Sequence, residues 1–368
     1  MALVDVLIPT YNRKTGLAIV LAGLLGQTFS DFDVIISDQS DGNGRALDSV
    51  EIQTLVRALR WHGHQVQLHR DRPRHGMAEQ RNFLFEQGNA PYAHFIDDDV
   101  VLEPRVMERM LAVLQAEGCG FVGCPATGLD YLRDVRPQEQ DIELWDGPVT
   151  PEPFAPGQLP WNRHRVNNAA NPLHLEQKLA PTGETVRYKV CWVGGANVLF
   201  DRQKLRHVGG FSWWDRLPPE HAGEEVVAQF LLIRKYGGCG VLPAGTYHMG
   251  LPTTVPDRQD NAVRLFGELI EEFDVHPGEY AGLAKQNNTT GRATPGRQQQ
   301  GETPYGNYQS GRQSRPGDGR RQRPRRGHGA GVRVRRKSRS GCRPEPRQRR
   351  TSGEGCGDLW RSGDASML

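Results

Sequence analysis

Short apolar runs alternate with helix-period segments through the first third of the chain, and this alternation limits the folds open to it. Leu3–Ile8 is an apolar run closed by Pro9, and Leu17, Val20, Leu21, Leu24 and Leu25 then recur at helical spacing. Asp33–Ser37, Val66–His69 and Ala93–Ile96 read as further strands. Leu47–Leu59 and Met77–Gln87 read as the helices between them. Pro104 suits the first position of a helix that puts Val106, Met110, Val113 and Leu114 on one face. Strands in this rhythm predict an α/β fold with a mostly parallel central sheet flanked by helices. Ligands of such sheets bind at the carboxyl ends of the strands, so the polar residues that follow each strand carry the functional information.

Four polar motifs stand at those ends. The first strand runs into Pro9-Thr10-Tyr11-Asn12-Arg13, and the second into Asp38-Gln39-Ser40-Asp41-Gly42. Gly76 to Asn82, with Arg81, follows the third, and Asp97-Asp98-Asp99 closes the fourth. Each motif alone is also a common turn, loop or solvated helix start; four in succession converge on one edge of a parallel sheet. Three adjacent carboxylates after a buried strand repel one another, and desolvation raises their pKa values further. A divalent cation resolves that conflict, and an all-oxygen donor set favours Mg²⁺ or Mn²⁺.

In this order the motifs resemble the inverting family 2 glycosyltransferases, which have the GT-A fold. The resemblance rests on the Pro-x-Tyr-Asn turn, the Asp-x-Ser loop, the Gly-x-x-x-x-Arg-Asn helix start and the Asp-x-Asp motif. Further along, Trp192-Val193-Gly194-Gly195-Ala196-Asn197, Val208-Gly209-Gly210-Phe211 and Gly223-Glu224-Glu225 resemble its acceptor-side strand, its Gly-Gly-Phe turn and its Gly-Glu-Asp motif. The resemblance covers roughly residues 3–275. It implies a nucleotide-sugar donor, UDP-sugar first, bound by Pro9, Thr10, Tyr11, Asn12, Asp38, Arg81, Asp97 and Asp98. It also implies Mn²⁺ or Mg²⁺ held by Asp99, with His248 from Tyr247-His248-Met249-Gly250 completing the metal site. Glu225 takes the place of the usual aspartate base and Glu224 orients the acceptor, although the adjacency of two glutamates leaves open which is the base. At both, the start of a helix favours the ionised form. Trp192, Gly194, Trp213 and Trp214 are candidates for the acceptor side. The implied acceptor is a hydroxyl of a glycan, a lipid-linked or a small molecule, in glycan, polysaccharide or glycoconjugate synthesis.

A dinucleotide dehydrogenase would need Gly-x-Gly-x-x-Gly after the first strand, and a nucleotidyltransferase a Gly-rich basic loop; neither is present. The alternative from another class is a nucleotide-sugar-binding protein without turnover.

Charge divides the chain. Residues 286–368 carry 19 Lys/Arg against 6 Asp/Glu, leaving 27 against 37 in residues 1–285. One catalytic domain is therefore expected over 1–285, with a nucleotide-sugar-binding half at 1–115 and an acceptor half at 116–285. Residues 125–190 form a long excursion, regularity returns at Val190–Phe200, a helix runs from Gly223 to Tyr236, and Cys239–Leu242 is a short strand before His248. A last helix places Val263, Phe266, Leu269, Ile270 and Phe273 on one face. The Arg/Gly/Pro-rich tail, 286–368, is too poor in aliphatic side chains to fold, so disorder is expected. It reads as a non-functional extension, with the composition of a shifted reading frame, rather than as a basic arm for nucleic acid or anionic lipid. No specific nucleic-acid partner is expected. The six cysteines lack zinc-ligand spacing and read as reduced thiols of a cytoplasmic protein. No stretch is long and apolar enough to span a bilayer, which leaves peripheral contact with the inner membrane face open.

Overall fold

A computed structural model describes residues 1–275, apart from 43–44, 71 and 256–258. The expected tail and two of the cysteines, Cys342 and Cys356, lie outside the described residues. Cys119, Cys124, Cys191 and Cys239 are buried free thiols.

The predicted alternation is present. β1 (Val4–Thr10), α1 (Lys14–Leu25), β2 (Phe32–Asp38), α2 (Val50–Trp61), β3 (Val66–His69), α3 (Met77–Gln87) and β4 (Tyr92–Ile96) follow in order. β1 is buried along its whole length, between β2 and β4. Its side chains alternate as a strand covered on both faces requires. Val4, Val6 and Ile8 join one apolar cluster with Leu17, Val20, Leu21 and Leu24 of α1; Leu7 joins the opposite cluster with Leu84 and Phe85 of α3.

The expected helix over Leu47–Leu59 is divided. A short 3-10 turn ends at Asp48, and Ser49 caps α2 by accepting the Ile52 N–H at 3.3 Å. β5 (Val100–Leu102) then leads to α4 (Val106–Glu117), which starts two residues beyond Pro104; Pro104 lies in the turn before it. Val106, Met110, Val113 and Leu114 form its buried face, as the spacing predicts.

The second half departs from a mostly parallel pattern. β6 (Phe121–Gly123), β7 (Thr127–Gly128), α5 (Asn171–Leu179), β8 (Val186–Tyr188), β9 (Asn197–Asp201), α6 (Arg202–His207), α7 (Glu224–Tyr236), β10 (Gly238–Leu242), β11 (Thr246–His248) and α8 (Phe266–Glu272) complete the described chain. The main sheet has eight strands in the order β3-β2-β1-β4-β9-β6-β10-β8. β9 lies antiparallel between β4 and β6, and β8 is antiparallel to β10. Of the predicted regular stretch Val190–Phe200, only the part from Asn197 is strand; residues 192–194 are irregular. Between β6 and β9 the chain passes through the long excursion of 125–190, which holds β7, α5 and β8, and β9 returns antiparallel to β6.

A second sheet, β5-β11-β7, sits directly beyond the acidic triplet. β11 pairs antiparallel with β5, so that His248 lies opposite Val100, the residue after Asp99. Phe266 and Leu269 of α8 are buried, with Val263, Ile270 and Phe273 packed against the same cluster, as expected for that face.

Candidate active site

The four strand-end motifs meet. Thr10, the last residue of β1, donates its hydroxyl to Asp98 Oδ2 at 2.6 Å. The chain then turns at Asn12, whose φ of 54° lies in the left-handed region that asparagine tolerates. Asn12 N–H donates to Ser40 Oγ at 2.8 Å, and Asn12 Oδ1 accepts the Asp41 N–H at 3.2 Å. The Arg74 guanidinium lies over the Tyr11 ring, 3.9 Å from its centre. Asp38 is buried and organises its own loop: its carboxylate accepts the N–H groups of Ser40 at 2.8 Å and Leu47 at 3.1 Å.

Arginines meet the triplet from both sides. Arg13 Nη1 contacts Asp98 Oδ1 at 3.1 Å and Asp99 Oδ2 at 2.5 Å, while its Nη2 donates to the Pro252 carbonyl at 2.6 Å. Arg81 Nη2 reaches Asp97 Oδ1 at 3.3 Å and its Nε donates to Glu224 Oε1 at 3.0 Å. Arg81 is 4% exposed, and Asp97, Glu224 and Glu225 outweigh the effect of that burial and hold its pKa above the ordinary arginine value. Sequence reasoning gave Arg13 no role. Its signal is a cation directly after the Pro-Thr-Tyr-Asn turn, too common in a helix start to single out.

Burial pushes Asp98 up to about 6 against the opposing effects of Thr10 and Arg13. Asp99 is also raised, by burial and then by the charge of Asp97, with His248 and Arg13 acting the other way. Asp99 Oδ1 is buried with no hydrogen-bond partner. An acceptor held this way fits a cation, and the side chain of Asp97, 30% exposed, stands on the same short segment. His248 Nε2 lies 3.4 Å from Asp99 Oδ2, but its Nδ1 accepts the Gly250 N–H at 2.9 Å. That bond places the proton of a neutral ring on Nε2. His248 in this tautomer is a partner of Asp99, and ligation through Nε2 requires the Gly250 bond to be given up. No group of three or more His, Cys, Asp or Glu with ligand geometry occurs among the described residues.

The acceptor side is built by α7. Its N-cap, Gly223, has a φ of 84°, and a Cβ there would lie 2.5 Å from Asn261 Oδ1. Glu224 is 3% exposed and committed to Arg81; Glu225 beside it is partly exposed. Burial, then the Glu224 charge, pushes Glu225 up to about 8, despite Arg81. The expected preference of a helix start for the ionised form is therefore overridden at Glu225. The loop before α7 is locked to α3 by His221, a residue sequence reasoning missed. Its Nδ1–H donates to the Pro218 carbonyl at 2.7 Å, and its Nε2 accepts the Ala78 N–H at 3.1 Å, capping α3.

The aromatic candidates divide. Trp213 is 1% exposed within the core, so its face is closed to a sugar ring, and the acceptor role expected for it is corrected. Trp192 is 8% exposed, stacked on His164 at 5.0 Å between ring centres and packed beside Trp161; this too is a core position. Trp214 remains partly exposed, 6.1 Å from the His75 ring. Gly194 has open space where a Cβ would stand.

A 149-residue stretch is 28% identical to an uncharacterized glycosyltransferase of Haemophilus influenzae, covering 38% of this chain and 47% of that protein. The chain thus spans about half the length of the curated relative it matches. Among solved structures, the mannosyltransferase PcManGT from Pyrobaculum calidifontis, in complex with GDP-Man and Mn²⁺, aligns with a TM-score of 0.44 and 14% identity over 69% of this chain and 59% of that one. S. aureus TarS residues 1–349 in complex with UDP-GlcNAc align at 0.41 and 14% identity, over 74% and 65% of the two chains. The family model described as glycosyl transferase family 2 matches residues 5–166. All four strand-end motifs fall within that match and α7 falls outside it; the segment that carries the acidic triplet is thus similar to glycosyl transferase family 2.

Proposed function

We propose that the protein transfers a sugar from a nucleotide-diphosphate sugar, UDP-sugar first, to a hydroxyl acceptor with inversion at the anomeric carbon. The observation that carries this reading is the Arg81 bridge. One buried guanidinium contacts Asp97 at 3.3 Å and Glu224 at 3.0 Å, and so ties the donor-side triplet to the start of α7. Glu225 then stands at the same site as the acidic triplet, although more than a hundred residues separate them in sequence.

The Pro9–Asn12 turn and the Asp38 loop make the nucleoside side of the site. Asp99, through Oδ1, with Asp97 beside it, would hold Mn²⁺ or Mg²⁺, which when bound neutralises charge gathering on the departing diphosphate. Glu224, fixed by Arg81, orients the acceptor. Glu225 in its ionised form takes the proton of the acceptor hydroxyl as that oxygen forms its bond to the anomeric carbon. The bond from that carbon to the diphosphate oxygen breaks on the opposite face, and its electron pair leaves with the nucleoside diphosphate. Burial and the neighbouring Glu224 charge keep a proton on Glu225 near neutrality, so its basic form grows as pH rises toward 8.

The test is product formation from UDP-glucose, UDP-N-acetylglucosamine, GDP-mannose and dTDP-rhamnose with Mn²⁺, using water or simple sugars as acceptors. Glu225→Gln should lower turnover by about 10²–10⁴-fold with nucleotide binding retained. A Glu225→Gln enzyme with near-full transfer removes Glu225 from the role.

A further inference from the structure

We infer that Gln229 is a positioning residue for the transfer: it fixes the Val193–Ala196 segment between the base and the acidic triplet. The inference rests on the reading of Glu225 as the base.

Gln229 is a fully buried carboxamide in the middle of α7, among Val226, Val227, Phe230 and Leu231. A polar group in such surroundings persists only where its hydrogen bonds are met. Both ends are met by one residue. Gln229 Oε1 accepts the Val193 N–H at 2.8 Å, and Gln229 Nε2 donates to the Val193 carbonyl at 2.8 Å. Val193 lies outside any strand, so the side chain supplies the pair of bonds that a neighbouring strand would otherwise give.

What the clamp holds is the stretch nearest the chemistry. Two residues beyond Val193, a Cβ on Gly195 would lie 2.7 Å from Glu225 Cγ and 2.9 Å from Arg81 Nη2. The Gly195 backbone therefore rests directly on the stem of the base and on the bridging arginine. One residue further, the Ala196 carbonyl accepts the Asp97 N–H at 3.0 Å. The segment thus runs from Gln229, across Glu225 and Arg81, to the triplet. Glu225 and Gln229 are four residues apart, so a single helix face carries both the base and the clamp. On the other side, Val193 packs where a Cβ on Gly123 would come within 2.6 Å, which fixes its depth against β6. With both bonds removed, the Gly194–Gly195 backbone is free to shift relative to Glu225. A shift of that kind alters how an acceptor meets the base and leaves the nucleoside side of the site in place.

The experiment compares the wild type, Gln229→Met and Gln229→Glu as full chains, following UDP release from UDP-glucose with Mn²⁺ and water as acceptor, or from whichever sugar of the above panel the wild type uses. Gln229→Met keeps the side-chain length and removes both bonds. Its kcat should fall at least about 10-fold with the donor KM within about 2-fold of wild type. Gln229→Glu adds a readout that packing alone does not supply. Its protonated carboxyl can make both bonds and its ionised form cannot donate to the Val193 carbonyl. Its kcat, relative to wild type, should therefore be restored toward low pH and lost as pH rises. Wild-type kinetics in Gln229→Met, or a Gln229→Glu variant whose ratio to wild type does not change with pH, overturns the inference. Unfolding of both variants at assay temperature also overturns it, because Gln229 is then a scaffold residue. If the wild type transfers sugar and the variants match it, only the positioning role falls; if the wild type releases no nucleotide from any donor, the underlying function falls with it.

Discussion

Arg13 and Arg81 give the three adjacent carboxylates of the triplet a charge partner on either side. Arg13 contacts Asp98 and Asp99, and Arg81 contacts Asp97. The protein itself thus supplies part of the compensation that the sequence assigned wholly to a divalent cation. Arg13→Gln should lower stability by about 1–3 kcal/mol in urea denaturation at pH 7.5. The difference should shrink as pH falls through about 6, where Asp98 takes up its proton and no longer needs the guanidinium. Equal stability of the two proteins at pH 7.5 would show that these contacts contribute nothing. Glu225, like Asp98, is raised by burial, and further. Its folded pKa of about 8 lies above the ordinary glutamate value, so it adds stability at low pH that is lost as pH rises toward 8. Its ionised fraction rises over the same range, and with the proposed role as base the transfer rate should rise with it. The pH profile of kcat should climb with a midpoint near 8, and that limb should be absent from the residual activity of Glu225→Gln. The triplet, the Pro9–Asn12 turn and the Gly223–Glu225 helix start were legible because strand ends and helix starts leave a polar signature in the chain. Arg13, His221 and Gln229 were not. Each acts on a partner distant in sequence, and nothing local distinguishes it from a solvated or core residue of the same type.

α3 and α7 depend on one another at the level of elements. The N-cap of α3 is Gly76, which has a φ of 103° and no capping side chain of its own, and a Cβ there would lie 2.5 Å from the His221 ring. His221 supplies the cap from the loop that leads into α7 and so holds Arg81 and Glu224 in register. His221→Ala should cost about 1 kcal/mol, the usual value of a lost cap, and lower transfer more than it lowers stability. A variant with reduced melting temperature but full turnover at 25 °C would separate the cap from the site. Helical period located α1 and α4, and the residues over 77–87 and 223–236 read as α3 and α7, all to within a few residues. It could not show that Ser49 divides the second helix from the turn before it, or that Pro104 stays outside α4, because a cap is a matter of backbone geometry. The antiparallel insertion of β9 and the pairing that brings His248 beside Asp99 were equally hidden, since register is set by tertiary contacts.

Across the whole described molecule, an eight-stranded sheet joins two halves of different legibility. The family match, residues 5–166, covers nearly all of the first and reaches into the second; in the first, sequence pattern and structure agree closely. The second carries the candidate base and the segment clamped by Gln229; its motifs are short, and its aromatic residues were misassigned, with Trp213 and Trp192 serving the core. Among the described residues no helix is long and apolar enough to cross a membrane. On the proposed function, the acidic triplet binds a nucleoside diphosphate together with a divalent cation. Calorimetric titration of the intact chain with UDP, with and without Mn²⁺, tests it in the wild type and in Asp99→Asn. UDP should bind with Mn²⁺ and at least about 10-fold more weakly without it, and Asp99→Asn should lose the metal-dependent part. Equal UDP affinity with and without Mn²⁺, or an Asp99→Asn variant that keeps the full metal effect, would contradict the account.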